Sequence, residues 1–188
     1  MRRWILSTVF LACGVSCGGA RHVTVNQSSS SSGHRDDVRW VRLRVSDQLW
    51  EVSATYIAPV ALDEAARLAR EYDADLPTPE LVDAIWHEAD LKLAPQPRSH
   101  DGTAQAMASE HVYQEQQIRI DQQVNGRAFR LLAGSHKDVV RDPATGRLGL
   151  YGWHQPNGVV IQPLYTGHRH DWIDYSQGLR LCRRVLAK

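Results

Sequence analysis

Apolar and polar residues alternate along two neighbouring stretches, Val38 to Val45 and Leu49 to Ile57. In the first stretch every second position from Val41 to Val45 is apolar, which is typical of a β-strand with one buried face. The polar segment Ser46-Asp47-Gln48 between the stretches has the composition of a turn. The pattern therefore predicts a β-hairpin.

Helical spacing of apolar residues follows in three later stretches. Leu62 to Tyr72 predicts a helix of about three turns. Thr78 and Pro79 are typical of an N-cap and the first helical residue after it, so a second helix is predicted to begin there. A third helix is predicted from Ser109 to about Gln123. The buried stripe of the second helix would comprise Leu81, Val82, Ile85, Trp86 and Ala89.

Short strand-like runs fill the last third of the chain, separated by turns that contain Gly and Pro. Strands, then helices, then strands, without regular alternation, predict an α+β fold rather than a doubly wound parallel sheet. We expect an N-terminal β-hairpin, two to three helices and a C-terminal, mainly antiparallel β segment. The later strands are predicted at Ala128–Ala133, Asp138–Arg141, Leu148–Trp153, Val159–Gln162 and Gly178–Val185.

The N-terminus has the pattern of an export signal. Arg2 and Arg3 provide a positive start, and residues 4–15 form an apolar run too short to span a bilayer. Cys13 and Cys17 stand at the end of this run, which resembles the lipobox of bacterial lipoproteins. The resemblance implies that one cysteine is lipidated and becomes the mature N-terminus.

We favour Cys17 as the lipidated residue, because cleavage before Cys13 would leave a leader shorter than about 15 residues. Residues 1–17 would then be a lipoprotein-type signal peptide, and the protein would be exported and lipid-anchored to a bacterial membrane in the cell envelope. An ordinary cleaved signal peptide is the alternative. The serine-rich residues 18–36 are predicted to form a flexible tether, and residues 37–188 a single globular domain.

Charge and cysteine content exclude some classes of protein. Lys and Arg number 22 against 21 Asp and Glu, so the chain lacks the basic surface that nucleic-acid binding requires. Because two of the three cysteines lie in the leader, Cys182 is the single cysteine of the predicted domain, which excludes an internal disulfide. Cys182 lies in an alternating run and is predicted to be a small buried residue of a strand.

His154 and His168 are the best candidates for general acid–base chemistry. Imidazole titrates near neutral pH, and both residues lie at the ends of predicted strands, beside turns. Asp174 could orient one of the two rings by accepting its N–H, and Lys137 could stabilise developing negative charge. The sequence therefore predicts a catalytic site of His154, His168, Asp174 and Lys137.

Two other kinds of site have weaker support. Ser135 and Ser176 could serve as nucleophiles, but neither lies in a Gly-x-Ser-x-Gly elbow. The run His168-x-His170-Asp171 places alternate side chains on one side of a strand, where His154 could complete a set of metal ligands. This spacing lacks the His-Glu-x-x-His signature, so neither a metal nor a cofactor is predicted.

Aromatic residues also concentrate in the last third. Trp153, Tyr165, Trp172 and Tyr175 combine apolar rings with polar edges, the kind of surface on which sugars stack. A binding surface is predicted at Trp153, Trp172 and Tyr175. Packing in the core is the favoured interpretation for at least two of the four.

The last third resembles an uncharacterised family of bacterial exported proteins. Four runs carry the resemblance: AGSHKDVV, LYGWHQPNG, IQPLYTGH and DYSQGLRL. The family has similar Gly-His-Lys-Lys-Asp, Tyr-Gly-Trp-His, Ile-Gln-Pro-Leu and Asp-Tyr-Ser-His-Gly runs in this order. The resemblance extends roughly from Leu76 to Leu181 and implies kinship without an activity. It points to Lys137, Asp138, Trp153, His154, Gln162, His168, Asp174 and Tyr175.

The chain departs from the family pattern in two places. Ser135-His136 stands where the family has Gly-His-Lys in closer order, and Gln177 stands where a histidine is expected. If that histidine titrates in the relatives, the chemistry of this chain is impaired or altered. The second departure therefore slightly favours a protein without catalytic activity.

Two hypotheses of function follow. The leading one is an exported, lipid-anchored domain that hydrolyses a cell-envelope or extracellular substrate, a glycan or peptidoglycan, in a cleft of histidine, aspartate and lysine. The alternative is a non-catalytic envelope module that binds a glycan or protein partner through aromatic side chains. The two differ in whether His154, His168 and Asp174 meet in one pocket.

Overall fold

The computed structural model describes residues 38–98 and 107–186. The predicted signal peptide and tether, with Cys13 and Cys17, lie outside the described residues. Within those two ranges, no helix combines the length and the apolar character that crossing a membrane requires.

The described elements confirm the predicted α+β fold, with the hairpin first, the helices next and mainly antiparallel strands in the C-terminal part. Helix α2 begins at Pro79, as predicted. In chain order the elements are β1 (Trp40–Val45), β2 (Gln48–Ser53), α1 (Leu62–Glu71), α2 (Pro79–Glu88), β3 (Leu91–Lys92), α3 (Glu110–Val124), β4 (Leu132–Ala133), β5 (Lys137–Arg141), β6 (Leu148–His154), β7 (Val160–Tyr165), β8 (Gln177–Gly178) and β9 (Cys182–Arg184).

The described strands form three sheets. One has the antiparallel order β1-β2-β9, and the second is the short parallel pair β3-β4. The third has the order β7-β6-β5-β8, in which β5, β6 and β7 are antiparallel and β8 runs parallel to β5. The C-terminal segment is thus mainly antiparallel, as predicted, with the short β5–β8 pair as its parallel part.

Most of the predicted strands have different bounds in the structure, and three of them differ by four or more residues or are divided. Strand β2 ends at Ser53 rather than Ile57, because Ser53 already pairs with Trp40, the first residue of β1. The strand predicted at residues 128–133 is reduced to Leu132–Ala133. The strand predicted at residues 178–185 is divided, because its two ends pair with different partners, β8 with β5 and β9 with β2.

Helix α2 positions the candidate site. Its N-cap Thr78 accepts a hydrogen bond from the backbone of Leu81, and Pro79 starts the first turn, which needs no N–H at that position. The helix contacts β1, β4, β5 and β6, so it packs against all three described sheets. Its buried side chains are Leu81, Val82, Ile85 and Trp86, which belong to the predicted stripe.

Cys182 is a buried residue of strand β9, as the sequence predicts. Burial raises the pKa of its thiol, so the nucleophilic thiolate is disfavoured. The Cys182 side chain belongs to the hydrophobic core that also contains Val52, Leu131 and Ile85.

Candidate functional site

Strand β6 ends in an irregular backbone that creates the candidate site. Tyr151 and His154 are three residues apart, so regular alternation would place them on opposite faces of the sheet. Both nevertheless hydrogen-bond the same carboxylate, that of Asp83. The reason lies between them, because Gly152 (φ 97°) and Trp153 (φ 55°) have left-handed backbone conformations that break the alternation.

A positive φ is rare for a bulky residue such as Trp153, and strain of this kind concentrates at functional sites. Gly152 has a further reason to be glycine. A Cβ at this position would lie 3.0 Å from Cγ1 of Val82, which is tight, and close to His154 and Asp138.

A substitution at Gly152 tests this tight backbone. We expect Gly152→Ala to lower the free energy of unfolding by roughly 2–4 kcal/mol, because a left-handed alanine is strained and the new methyl group crowds Val82. Gly146→Ala is the matched control. Gly146 also has a positive φ, of 71°, but nothing lies within 4 Å of its added Cβ.

Urea unfolding of both variants measures the difference. The free energy of unfolding of Gly146→Ala should fall only by about 1–2 kcal/mol, the cost of placing an alanine in a left-handed conformation. Equal losses in the two variants would contradict the close packing described around Gly152.

His154 is held by a hydrogen bond to Asp83 and by stacking on Trp86. Its Nε2 lies 2.9 Å from Oδ1 of Asp83, and its ring stacks on Trp86 with centroids 5.3 Å apart. The hydroxyl of Tyr151 donates to the same carboxylate, 3.0 Å from Oδ1 and 3.2 Å from Oδ2. The His154 side chain is 6% exposed and the Asp83 side chain 43%. Asp83 is therefore the solvent-facing member of the pair, with His154 directly beneath it.

Burial and charge have opposite effects on His154. Its pKa is lowered because burial disfavours the imidazolium ion, while the hydrogen bond and the charge of Asp83 act in the other direction. Burial, together with Asp83, raises the pKa of Tyr151 to about 12, so this hydroxyl stays a hydrogen-bond donor at neutral pH. The ionised carboxylate of Asp83 has no proton to donate, so it accepts hydrogen bonds from both Tyr151 and His154. Nε2 is therefore the ring nitrogen of His154 that carries the proton.

A second polar group lies around Lys137. Successive residues of a strand point to opposite faces, so Lys137 and Asp138 of β5 leave the sheet on different sides. Nζ of Lys137 lies 2.9 Å from Oδ2 of Asp174 and above the ring of Trp153. Oδ1 of Asp174 accepts from the backbone and the hydroxyl of Ser176. Lys137 and these hydrogen bonds lower the pKa of Asp174 against the effect of its burial, so it is a carboxylate at neutral pH.

His168 belongs to this second group. Its ring stacks on Trp172 with centroids 4.5 Å apart and meets Tyr165 edge-on at 4.7 Å. Burial lowers the pKa of His168, and the charges of Asp174 and Lys137 act on it in opposite directions. The structure thus brings His168, Lys137 and Asp174 into one electrostatic neighbourhood.

The structure divides the catalytic set that the sequence predicts. His154 lies with Asp83 rather than with Asp174, whose hydrogen bonds go to Lys137 and Ser176. The single cleft of four residues is therefore corrected to two groups. Asp174 does not orient His154, because Asp83 takes that place, and Lys137 is bound to Asp174.

Burial also corrects the predicted binding surface. Trp153 is 3% exposed and Tyr175 is 5% exposed, and the two rings pack edge to face. The hydroxyl of Tyr175 accepts from the backbone N–H of Arg98. These rings are core residues and leave no face for a sugar. Trp172 is partly exposed, but His168 stacks on its ring.

The geometry gives little support to a serine nucleophile or to a metal site. Oγ of Ser135 lies 2.9 Å from Nδ1 of His136, but both residues are buried. Ser176 is buried and donates to Asp174. Among residues 38–98 and 107–186, no group of three or more His, Cys, Asp or Glu side chains could hold a metal ion.

Gln177, where the family resemblance leads us to expect histidine, is a buried structural residue. Its amide donates to the carbonyl groups of Val60 and Trp172. It thereby fixes the loop that carries Trp172 against the start of α1. The side chain makes no contact with the Asp83–His154 pair in any hydrogen bond of the described residues.

A buried polar cluster lies on the inner side of β5. The hydroxyl of Tyr56 donates to Oδ2 of Asp138 at 3.0 Å, and Nε of Arg180 lies 4.0 Å from Oδ1. The guanidinium of Arg180 donates to the carbonyl groups of Ser53 and Leu132, each at 2.6 Å. Burial raises the pKa of Asp138 to about 7, against the effects of Arg180 and Tyr56.

The pH dependence of stability tests this burial. The pKa of Asp138 rises from 3.8 to about 7 on folding, so between these values the folded chain keeps a proton that the unfolded chain has lost. Its contribution to stability is therefore complete below the lower value and falls as pH rises through the range. Asp138→Asn cannot titrate. Relative to the wild type, we expect its stability to gain about 3 kcal/mol between pH of about 4 and about 7.

Urea unfolding of both proteins at the two pH values measures the effect. Burial lowers the pKa of His136 from 6.5 to about 4, which gives the opposite pH dependence, but His136 is present in both proteins and cancels. A difference in stability that stays constant with pH would contradict a buried, protonated Asp138.

Asp83 is the candidate site residue that the sequence analysis missed. It lies on α2 in the run Leu81-Val82-Asp83-Ala84-Ile85, where a carboxylate stands beside the buried stripe. A charged residue directly beside buried positions is the one feature of the sequence that could have marked Asp83 as a candidate. Its partner could not be found from spacing, because His154 is 71 residues away in the sequence.

The chain matches no protein-family model, no curated protein and no solved structure. The resemblance to exported bacterial proteins and to the lipobox therefore stays a prediction.

Proposed function

We propose that the chain is an exported, lipid-anchored bacterial protein whose α+β domain hydrolyses a cell-envelope or extracellular polymer, a glycan or peptidoglycan. The Asp83–His154 pair would carry the general acid–base chemistry. The observation that supports this most is the hydrogen bond from Nε2 of His154 to a carboxylate that is itself held by Tyr151 and open to solvent.

This arrangement suits acid–base chemistry for a physical reason. An imidazole that is stacked on Trp86 and hydrogen-bonded to Asp83 is fixed in orientation, so little reorganisation is needed when a proton moves. The solvent-facing carboxylate of Asp83 can take the proton of an attacking water molecule and pass it to the leaving group, while the Nε2–H of His154 stays hydrogen-bonded to that carboxylate and fixes its orientation. Because Ser135 and Ser176 are both buried, direct attack by water fits the site better than attack by a serine nucleophile.

The proposal is tested by turnover of envelope polymers. The full chain is incubated with peptidoglycan and with envelope glycans, with and without a chelator, and new reducing ends and amines are measured. His154→Ala should reduce turnover by about 10²- to 10⁴-fold. His168→Ala, which alters the group around Lys137, is the matched histidine control and should retain most activity. Unchanged rates in His154→Ala would overturn the proposal.

A second candidate function is the binding of a glycan or protein partner without catalysis. One observation favours it, because strand β7 lies at the edge of its sheet. Leu164 and Tyr165 of this strand are 39% and 48% exposed, and Val159, just before the strand, is 54% exposed. An unpaired sheet edge with exposed apolar side chains offers backbone groups on which a partner can pair. Co-sedimentation with peptidoglycan that is lost in Tyr165→Ser but kept in His154→Ala would support this candidate over the hydrolase.

A further inference from the structure

The sheet of β1, β2 and β9 has one face on the core and one face toward solvent. Val41 and Leu43 of β1 are buried and belong to the same core as the buried side chains of α2. Because side chains alternate along a strand, Arg42 and Arg44 point to the opposite face. Both arginines are exposed, and the side chain of Arg42 is 70% exposed. The outer face of this sheet is therefore basic and accessible along β1.

A row of three charged side chains crosses this outer face. The strand registers pair Glu51 of β2 with Arg42 of β1 on one side and with Arg183 of β9 on the other. Oε1 of Glu51 accepts from Nε of Arg42 at 2.9 Å, and Oε2 accepts from Nε of Arg183 at 2.8 Å. These hydrogen bonds, with the charges of both arginines, lower the pKa of Glu51, so it is ionised at neutral pH. One carboxylate therefore holds two guanidinium groups, one on the strand at either side.

The outer atoms of both guanidinium groups are left over by this row. The side-chain hydrogen bonds that Arg42 and Arg183 make to residues 38–98 and 107–186 come from Nε alone, so their Nη atoms have no acceptor among those residues. Arg183 is fixed further, because its guanidinium lies 4.1 Å from the ring centroid of Trp40. A guanidinium group that is held in place and still has N–H groups to donate matches the oxygen atoms of a phosphate group.

The charges on this face do not cancel. Three arginines stand against the single carboxylate of Glu51, which leaves two positive charges in excess. The other charged residues of the hairpin and β9 are Asp47 and Arg184, and these two cancel each other. The whole chain has a formal net charge of only +1, so positive charge is concentrated on this sheet.

Apolar side chains lie beside the arginines. Leu49 stands opposite Arg44 in the register, and Val185 donates its backbone N–H to the carbonyl group of Leu49. Leu49 and Val185 are half-buried, and Leu186, the next residue along the chain, is 81% exposed. Arginines next to accessible apolar side chains are typical of surfaces that meet the interface of a lipid bilayer.

We propose that this arginine-rich face, formed by Arg42, Arg44 and Arg183, docks the domain on an anionic lipid bilayer by binding the phosphate groups of the lipids. The proposal rests on the membrane location given under the proposed function, and it adds the surface that meets the membrane. Because α2 packs on the opposite face of the sheet, the helix that carries Asp83 would lie on the far side of the sheet from the bilayer. Asp83 would then remain accessible to an envelope polymer.

Two physical arguments favour a bilayer over a soluble anionic polymer. A sheet face holds its side chains in one plane, about 5 Å apart across the strands and about 7 Å apart along them, which fits a flat surface. Each arginine near an anionic bilayer strengthens binding by only about fivefold, so this face alone binds weakly. The predicted tether, residues 18–36, shortly precedes β1 in the chain. A tether to the same bilayer keeps the domain at high effective concentration beside it, so a weak attraction is sufficient.

Sedimentation of the full chain with lipid vesicles tests the proposal. Vesicles of phosphatidylcholine, with and without phosphatidylglycerol, give the ratio of bound to free protein. The combined substitutions Arg42→Ser, Arg44→Ser and Arg183→Ser should lower this ratio about 10- to 100-fold on anionic vesicles at low salt and leave it unchanged on neutral vesicles. The matched control makes the same change of charge at three exposed arginines elsewhere and should keep the ratio of the wild type. These are Arg127, Arg147 and Arg169.

Glu51→Gln separates the effect of charge from damage to the sheet. This substitution removes the carboxylate of the outer face and raises the excess from two positive charges to three. Binding to anionic vesicles should therefore increase by about fivefold. Damage to the sheet would instead weaken binding.

Three results would refute docking on lipid: equal losses in the two triple variants, equal binding of the wild type to both kinds of vesicle, or no gain in Glu51→Gln. Soluble polyphosphate is the probe for a polymer partner. If polyphosphate binds the wild type and anionic vesicles do not, the face serves an anionic polymer and the lipid proposal is wrong. No substrate is turned over in these measurements, so each result leaves the proposed hydrolysis by Asp83 and His154 to its own test.

Discussion

Replacing Asp83 with Asn is expected to lower turnover of the envelope substrate by about 10²- to 10⁴-fold while the protein stays folded. The asparagine amide can still reach His154 and Tyr151, but it cannot take a proton. Its NH₂ group would also favour the ring tautomer with the lone pair on Nε2, which removes the N–H that fixes the side chain at position 83. The effect should fall on kcat rather than on KM, because the lost interaction belongs to the transition state.

The matched control lies on the same helix. Glu80 is an exposed carboxylate in the first turn of α2, and Glu80→Gln should change kcat by no more than about twofold while costing a few tenths of a kcal/mol of helix stability. Steady-state kinetics of the three proteins, with circular dichroism spectra to confirm folding, makes the comparison. A kcat for Asp83→Asn equal to that of Glu80→Gln would contradict the role given to Asp83.

Replacing Arg180 with Met is expected to have the largest effect on stability, a loss of about 3–5 kcal/mol in the free energy of unfolding. Arg180 is fully buried, and its guanidinium lies 3.9 Å from the ring centroid of Tyr56. Its removal leaves the carbonyl groups of Ser53 and Leu132 without donors, together with the buried carboxyl group of Asp138. Met retains most of the apolar volume, so the loss reports mainly the polar contacts.

Arg183→Met is the control for Arg180. Arg183 also pairs with a carboxylate, Glu51, and lies above an aromatic ring, that of Trp40, but its side chain is 40% exposed. Exposed pairs are screened by water, so we expect a loss of about 0–1 kcal/mol. Urea unfolding compares the variants with the wild type. A small loss in Arg180→Met, equal to that of Arg183→Met, would show that the buried cluster does not anchor the sheets.

The local elements were largely predictable from the sequence. The hairpin follows from alternation over Val41 to Val45, and α2 follows from a capping threonine, a proline and an apolar stripe. These signals act over a few residues and depend on local backbone preferences. The strand ends were less predictable, because a strand ends where its partner ends, as at Ser53 opposite Trp40.

The candidate site depends on information that the sequence pattern does not contain. The chemistry of imidazole marks His154 as a candidate, but the sequence predicts Asp174 as its partner because both residues lie in the last third of the chain. The actual partner, Asp83, comes from a helix that folds against β6. The left-handed pair Gly152-Trp153 turns His154 toward that helix, and no periodicity predicts a tryptophan in this conformation.

The aromatic residues illustrate a related limit. Trp153 and Tyr175 have the composition of a sugar-binding surface, but pleating and the backbone of β6 turn them inward against Lys137 and each other. The same residue types serve packing or binding, and burial alone distinguishes the two uses.

The central claim is that Asp83 and His154 act as a pair, with the proton on Nε2. A long-range ¹H–¹⁵N spectrum of the full chain measures it directly, because the two ring nitrogens of His154 differ in shift when one is protonated. At a pH of about 7.5 we expect the ring of His154 to be neutral, with its proton on Nε2. In Asp83→Asn we expect the ring to populate both tautomers, so that the single Nε2-protonated form is lost. A ring protonated on Nδ1, or a spectrum that Asp83→Asn leaves unchanged, would contradict it.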